Sequence, residues 1–384
     1  MEFAWSEEQL EFRASVLRFA ESRLNQDLIA RDREGAFRRD LWHECAQFGI
    51  QGLPIPEAYG GSNADVLTTM LAMEALGAGC RDQGLLFSIH AHMWAVELPI
   101  LAFGTPEQKE RYLPKLGDGT WVGAHGMSEP ESGSDAFGLR TEAVRKGDHY
   151  VLNGTKMFVT NAPEADLFVA FATVNRRRGM WGVTGFLIER GTKGLSVSKK
   201  IGKMGLTTSP MGEVIFEDCE VAVENVLGSE GQGAAVFNHS MGWERSCILA
   251  STVGAMERQL ASCLSYVKTR QQFGKPIGNF QLVASKLADM KVRLETSRLL
   301  LYRAAWTQAH GGMNAVDAAM AKLYVSESAV QSALEAIQIH GGYGYMTEFE
   351  VERDLRDMLG ARLYSGTSEI QRLVIARGLG LAPQ

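Results

Sequence analysis

Along roughly the first 120 residues, apolar positions recur at helical spacing. Leu10, Leu17 and Leu24 fall on one face with Val16 and Ala20 beside them, and Ser6 followed by Gln9 predicts a capping box at the start of the first helix. Pro54, Pro56 and Tyr59-Gly60-Gly61 interrupt the pattern, which DVLTTMLAMEALGAG (65–79) resumes. From about residue 121 the period shortens. YVLNGTKMFVT, DLFVAFATV, GVTGFLIE, GLSVSKKIG and GEVIFEDCEV are rich in β-branched and aromatic residues and divided by Gly, Asn and Asp, as expected of an antiparallel β domain. After Gly233 long helical stripes return, with Met256, Leu260, Leu264 and Val267 on one of them. The pattern predicts an α+β chain with a helical domain over 1–120, a β domain over 121–230 and a second helical domain over 231–384.

Composition narrows the function classes. A chain of 384 residues that is 45% hydrophobic buries a substantial core. Its net charge of −6 offers no global attraction to nucleic acid or anionic membrane, so neither is expected as a partner. No segment approaches about 18 uninterrupted apolar residues. The acidic start MEFAWSEEQLEF lacks the basic and apolar runs of a signal peptide. Cys45, Cys80, Cys219, Cys247 and Cys263 are far apart and form no C-x-x-C pair, so the expectation is reduced thiols in a cytoplasmic protein.

Nucleotide fingerprints G-x-G-x-x-G and G-x-x-x-x-G-K-[ST] are absent, as is the G-x-S-x-G elbow. His90 and His92, two apart in a helical context, point to different faces, and no metal site is expected. Three stretches carry more. GMSEPESGSD (126–135) places hydroxyls and small residues at a helix-to-sheet transition, where backbone N–H groups suit an electron-rich ring or a phosphate, or form an ordinary loop. IHGGYGY (339–345) follows a helix with two glycines, one more than a C-cap needs. NHSMGWERSC (238–247) sets Glu244 and Arg245 among apolar residues. On a solvated face Glu244 is an ordinary carboxylate; buried, it becomes a proton acceptor with a pKa near neutrality.

In this order the stretches resemble the acyl-CoA dehydrogenase family over essentially the whole chain. AYGGS (58–62), SEPESGSD (128–135), NGTKMFVTNA (153–162), RQQFGKPIGNFQ (270–281), IHGGYGY, RDLRD (353–357) and SGTSEIQR (365–372) carry the match. The resemblance implies an N-terminal helical domain, a β-barrel-like middle domain and a C-terminal four-helix bundle, in a homotetramer with one FAD per subunit. It assigns Met127, Ser128, Gly133 and Ser134 to the flavin ring, Phe158 to its face and Thr160 to the neighbourhood of N5. Arg270, Phe273 and Gln281 would contact the adenine and pyrophosphate end, joined by Gln338, Gly341 and Gly342 from a neighbouring subunit, with Thr367 and Glu369 near the adenosine.

The family removes two hydrogens from an acyl thioester, with the thioester oxygen held by a backbone N–H at the position of Ser365. Most members carry a glutamate base at that position. A serine hydroxyl alone accepts no proton near neutral pH, and a minority of the family places the glutamate at the position of Glu244 instead. The resemblance therefore implies Glu244 as base and Ser365 as backbone oxyanion donor. Ser134, His92 and Trp243 would shape the substrate pocket, and Arg245 would hold the pantetheine or phosphate end.

SMGWERSC, MERQL, RQQFGKPIG, MKVRLE, RLLL and SGTS look closest to the branch that oxidises an aminoacyl group, notably prolyl, on a peptidyl carrier protein in natural-product biosynthesis. Carrier proteins are acidic, which directs attention to NRRRG (175–179), with Lys199, Lys200 and Lys203, as a landing surface, the alternative being a solvated β-hairpin tip. Free acyl-CoA as substrate is the first alternative. The electron acceptor would be an electron-transferring flavoprotein or, in an oxidase, oxygen. A flavin-binding scaffold that has lost catalysis at Ser365 is the rival of another class.

Overall fold

The computed structural model describes residues 4–312 and 314–382, so the first three residues of the acidic N-terminal stretch lie outside it. Seven helices come first: α1 (Glu7–Arg23), α2 (Leu28–Glu34), α3 (Arg39–Gln47), α4 (Val66–Gly79), α5 (Gln83–His92), α6 (Leu98–Phe103) and α7 (Pro106–Gly117). The Ser6 capping box forms, with the hydroxyl accepting from Gln9 N–H at 3.1 Å. A π-helical turn, Met93–Glu97, joins α5 to α6. The continuous helix Gln83–Phe103 is long and apolar enough to cross a membrane, yet most of it is buried inside the protein.

Eight strands follow: β1 (Gly123–Gly126), β2 (Glu142–Lys146), β3 (His149–Thr160), β4 (Leu167–Thr173), β5 (Val183–Glu189), β6 (Leu195–Val197), β7 (Met211–Ala222) and β8 (Val226–Leu227). They order as β6-β7-β3-β2-β4-β5-β8, with β1 beside β4. Most pairs are antiparallel, as expected, but β1 pairs with β4 in parallel from Gly123↔Leu167, and β2 meets β4 in parallel at Glu142↔Thr173. β4 is buried on both faces, which explains its unbroken apolar run. Phe168 and Ala170 face the interior of the sheet, whereas Val169 and Phe171 pack on Val96, Ile100 and Val236 of the helices.

The chain closes with α8 (Gly233–Cys247), α9 (Ala250–Thr269), a small hairpin of β9 (Gln271–Gln272) and β10 (Lys275–Pro276), α10 (Gln281–Gly311), α11 (Ala315–His340), α12 (Val351–Gly360) and α13 (Ser368–Gly378). N-terminal and C-terminal helices share one core, in which Trp42, Met73, Leu76, Val253, Met256 and Leu294 meet. α4 and α9 approach so closely that a Cβ on Gly77 would lie 1.9 Å from the Ser251 carbonyl, and one on Gly254 1.9 Å from that of Glu74. Two stripe positions fall outside the core. Leu10 and Leu264 are exposed, and Cys263 takes the buried place expected of Leu264.

Candidate active site

Two walls define the site. The first is the β1–β2 loop and the strand β3. The β3–β7 register slips between Lys156 and Val159, so Met157 and Phe158 bulge out of the ladder. The bulge holds Phe158 at φ 56° with 59% of its surface exposed. Met157 N–H donates to the Ser128 carbonyl at 2.8 Å, which ties the bulge to the loop. Beneath them Lys156 is buried, its Nζ 2.7 Å from Glu129 Oε1 and 3.2 Å from the Met127 carbonyl. Glu129 also accepts from the Thr141 N–H and hydroxyl. Met127 is buried, Ser128 and Thr160 are half-buried, and Gly133 and Ser134 are exposed. The GMSEPESGSD loop thus follows the first strand instead of preceding the sheet.

The second wall is α8 and the turn between α12 and α13. Glu244 on α8 is 8% exposed, and the Ser365 hydroxyl donates to its carboxylate. Burial pushes the Glu244 pKa up to about 7, against the opposing pull of Ser365, Arg245 and Lys322. The open question of the sequence, buried or solvated, is answered by packing: α8 runs between the sheet and the helical core. Ser365 and Gly366 both have positive φ, 53° and 89°. Their carbonyls are held from behind. Arg245 Nε lies 3.3 Å from Ser365 O, Gln371 Nε2 lies 3.2 and 2.9 Å from the two oxygens, and Lys322 Nζ lies 2.7 Å from Gly366 O. Neither the Ser365 nor the Gly366 N–H has a partner among the described residues. The turn therefore offers free donors beside a buried base.

Several expected residues sit elsewhere. His92 does not line the pocket. It is fully buried, its Nδ1 accepts from the Gly123 N–H at 2.8 Å, and its Nε2 lies 2.9 Å from Glu97 and 3.1 Å from the Leu116 carbonyl. The histidine two residues earlier has the closer position: His90 accepts from Trp94 Nε1 at 2.8 Å, and Trp94 stacks on Trp243 at 5.9 Å. Arg245, half-buried on α8, directs its Nε at the Ser365 carbonyl.

Arg270 lies over the Tyr343 ring at 5.4 Å, and Tyr266 stacks on His340 at 4.2 Å. The hairpin bearing Phe273 and the Gly341–Gly342 turn therefore share one surface of one chain, with exposed Gln281 and Gln338 at the adjoining helix ends. Thr367 caps α13 by accepting from the Ile370 N–H, and Glu369 is exposed in its first turn.

Sequence reasoning missed Lys322, Gln371 and the pocket residues Phe87, Leu206, Thr252 and Tyr364. A signal existed for Lys322: it falls on a helical stripe with Ala318, Ala319 and Val325, all buried. Burial and the nearby Arg245 push its pKa down to about 7. Lys322→Met removes one of three donors from the turn and is expected to lower the turnover rate by ~10- to 100-fold with flavin occupancy retained. Steady-state kinetics on the flavin-loaded protein checks this; an unchanged rate would show that Arg245 and Gln371 suffice.

The residues present fit FAD. Phe158 stands exposed in a left-handed conformation that an aromatic residue adopts only under constraint, and Phe273, at φ 52°, is 92% exposed. A Cβ on Gly133, Gly341 or Gly342 would meet no atom within 4 Å, which leaves backbone open to a ligand at both surfaces.

Comparison with known proteins matches residues 6–120, 124–219 and 231–380 to the N-terminal, middle and C-terminal domains of acyl-CoA dehydrogenase. An L-prolyl-[peptidyl-carrier protein] dehydrogenase from Pseudomonas fluorescens is 45% identical over 346 residues, covering 90% of this chain and 91% of that protein. The crystal structure of the prolyl acyl carrier protein oxidase AnaB is 52% identical, with a TM-score of 0.97, covering 98% of this chain and all of that one. PigA, solved with FAD and proline, is 43% identical with a TM-score of 0.97, covering 99% of this chain and all of its own.

Proposed function

The chain belongs to the acyl-CoA dehydrogenase family and is an FAD-dependent oxidoreductase, and from that premise we propose that it dehydrogenates an acyl group, foremost prolyl, tethered as a thioester to a carrier protein. The carrying observation is the buried Glu244 carboxylate in contact with the Ser365 hydroxyl. In this reading Glu244 removes the α-proton and the Ser365 N–H holds the thioester oxygen as negative charge develops there. Lys322, Arg245 and Gln371 hold the carbonyls of the same turn so that its N–H groups stay free. FAD, when bound, accepts the β-hydrogen as hydride. Phe158, Thr160 and the loop carrying Met127, Ser128, Gly133 and Ser134 would seat its ring. The Arg270–Phe273 hairpin, Gln281, Gln338 and the Gly341–Gly342 turn would take its nucleotide end.

Anaerobic flavin bleaching against L-prolyl carrier protein, L-prolyl pantetheine and a series of acyl-CoA thioesters tests the reaction and the substrate class together. No bleaching with any of them would leave a flavin-binding scaffold. The names dehydrogenase and oxidase among the relatives frame the acceptor question. Turnover that needs an electron-transferring flavoprotein in the presence of oxygen would favour the first. A homotetramer is proposed as well, supported by Leu282, Val292 and Leu299 exposed along α10. A cytoplasmic setting is supported by five free, buried cysteines.

The contact also sets a pH dependence. Glu244 accepts a proton only when ionised, so the bleaching rate should rise with pH through about 7. The Ser365 hydroxyl donates to the carboxylate and opposes the rise that burial causes. Ser365→Ala is therefore expected to move the acidic limb of the single-turnover pH profile upward. A limb that stays or moves down would dissociate the hydroxyl from the base.

A further inference from the structure

The turn between β4 and β5, Arg176–Gly182, carries an unusual surface. Trp181 is 65% exposed with exposed Met180 beside it. Arg176 is tied down, with Nη2 2.7 Å from the Arg140 carbonyl and Nε 3.0 Å from Glu142. Arg177 and Arg178 are exposed and have no ion-pair partner among the described residues. An indole open to solvent beside two unpaired guanidinium groups matches the residue types that dominate interface hot spots.

Its place in the fold gives the patch a meaning. The turn packs on the start of α8, where a Cβ on Gly231 would lie 2.8 Å from the Trp181 carbonyl, and it also touches the Ala136–Gly138 turn of the flavin loop. α8 then leads straight to the base. From Gly233 to Glu244 the helix climbs about 16 Å at 1.5 Å per residue. A phosphopantetheine arm has about thirteen bonds between phosphorus and sulfur and, at the rise per bond of an extended chain, spans about 15 Å. The arm is therefore long enough to reach Glu244 from a carrier seated on the turn. In the other basic stretch two of the three lysines are occupied, Lys200 Nζ 3.0 and 2.5 Å from the Glu34 and Gly35 carbonyls and Lys203 Nζ 2.7 Å from that of Ser209, which leaves Lys199 exposed and unpaired among the described residues.

We propose that the Arg176–Trp181 turn is the docking surface for the acidic carrier protein, with Arg177 and Arg178 meeting its carboxylates and Trp181 its apolar contact. This rests on the reading that the acyl group is carrier-tethered. The test compares L-prolyl carrier protein with L-prolyl pantetheine, two forms of the same thioester, on the flavin-loaded double variant Arg177→Glu/Arg178→Glu. KM for the carrier form is expected to rise at least ~10-fold and to lose much of its dependence on ionic strength, with kcat unchanged. Turnover of the pantetheine form should match the wild type. Wild-type kinetics of the variant on loaded carrier would overturn the docking surface. Bleaching of the wild type by L-prolyl-CoA and not by loaded carrier would overturn the carrier reading itself, and the surface with it.

Discussion

Glu244→Gln is expected to abolish thioester-dependent flavin bleaching, with the rate of reduction falling by ~1000-fold, within the range that a positioned general base supplies. Glutamine keeps the volume and can still accept from the Ser365 hydroxyl, so the pocket and the turn stay as they are. Binding should persist, and KM should change far less than kcat. Anaerobic stopped-flow reduction with the best thioester gives the rate directly. Reduction at the wild-type rate would mean that Glu244 is not the base. A companion variant, Glu244→Gly/Ser365→Glu, puts the carboxylate on the opposite wall and should recover part of the rate lost in Glu244→Gly, since the two side chains are already in contact.

Lys156→Met is expected to cost about 3 kcal/mol of stability and to weaken flavin retention. The ammonium is buried beneath the flavin loop and neutralises Glu129, which is buried as well. Burial pushes the Lys156 pKa down to about 8 against the pull of Glu129, so the pair stays charged at neutral pH. Removing the cation leaves a carboxylate supported only by its N–H and hydroxyl donors from Arg140 and Thr141. The loop from Met127 to Asp135 then loses its side-chain anchor to β3 and is left with the backbone bond from Met157 N–H to the Ser128 carbonyl. Urea unfolding followed by flavin release reports both effects. Lys156→Met/Glu129→Leu removes both charges together and should regain much of the loss. A single variant as stable as the wild type would show that the hydrogen bonds alone hold Glu129.

Much of the architecture was legible because periodicity reports burial on one face at a time. The Ser6 cap, the apolar run of β4 and the stripes of α9 and α11 follow from local rules. The parallel pairing of β1 with β4 joins Gly123 to Leu167 through tertiary closure, and no local pattern encodes it. Leu10 and Leu264 continue helical stripes yet remain exposed in the single chain, because a stripe fixes a face and not the width of what covers it. At the site, the motifs located both walls, but burial of Glu244 depends on α8 lying between two layers. The direction of Arg245 depends on the same packing, and the seclusion of His92 on the closure of α5 against α3, α7 and β1. Lys322 is hidden because periodicity marks buried positions by apolar residues, and a buried lysine breaks that pattern.

Ser365 and Glu244 are 121 positions apart in the chain and touch across the site. That contact bears on how a base can change places during descent. A form with carboxylates at both positions would hold two like charges so close that they share one proton, leaving one ionised near neutral pH. Such a form keeps a working acceptor on whichever wall retains its charge. Turn and helix thus frame one position for a proton acceptor, reachable from either wall.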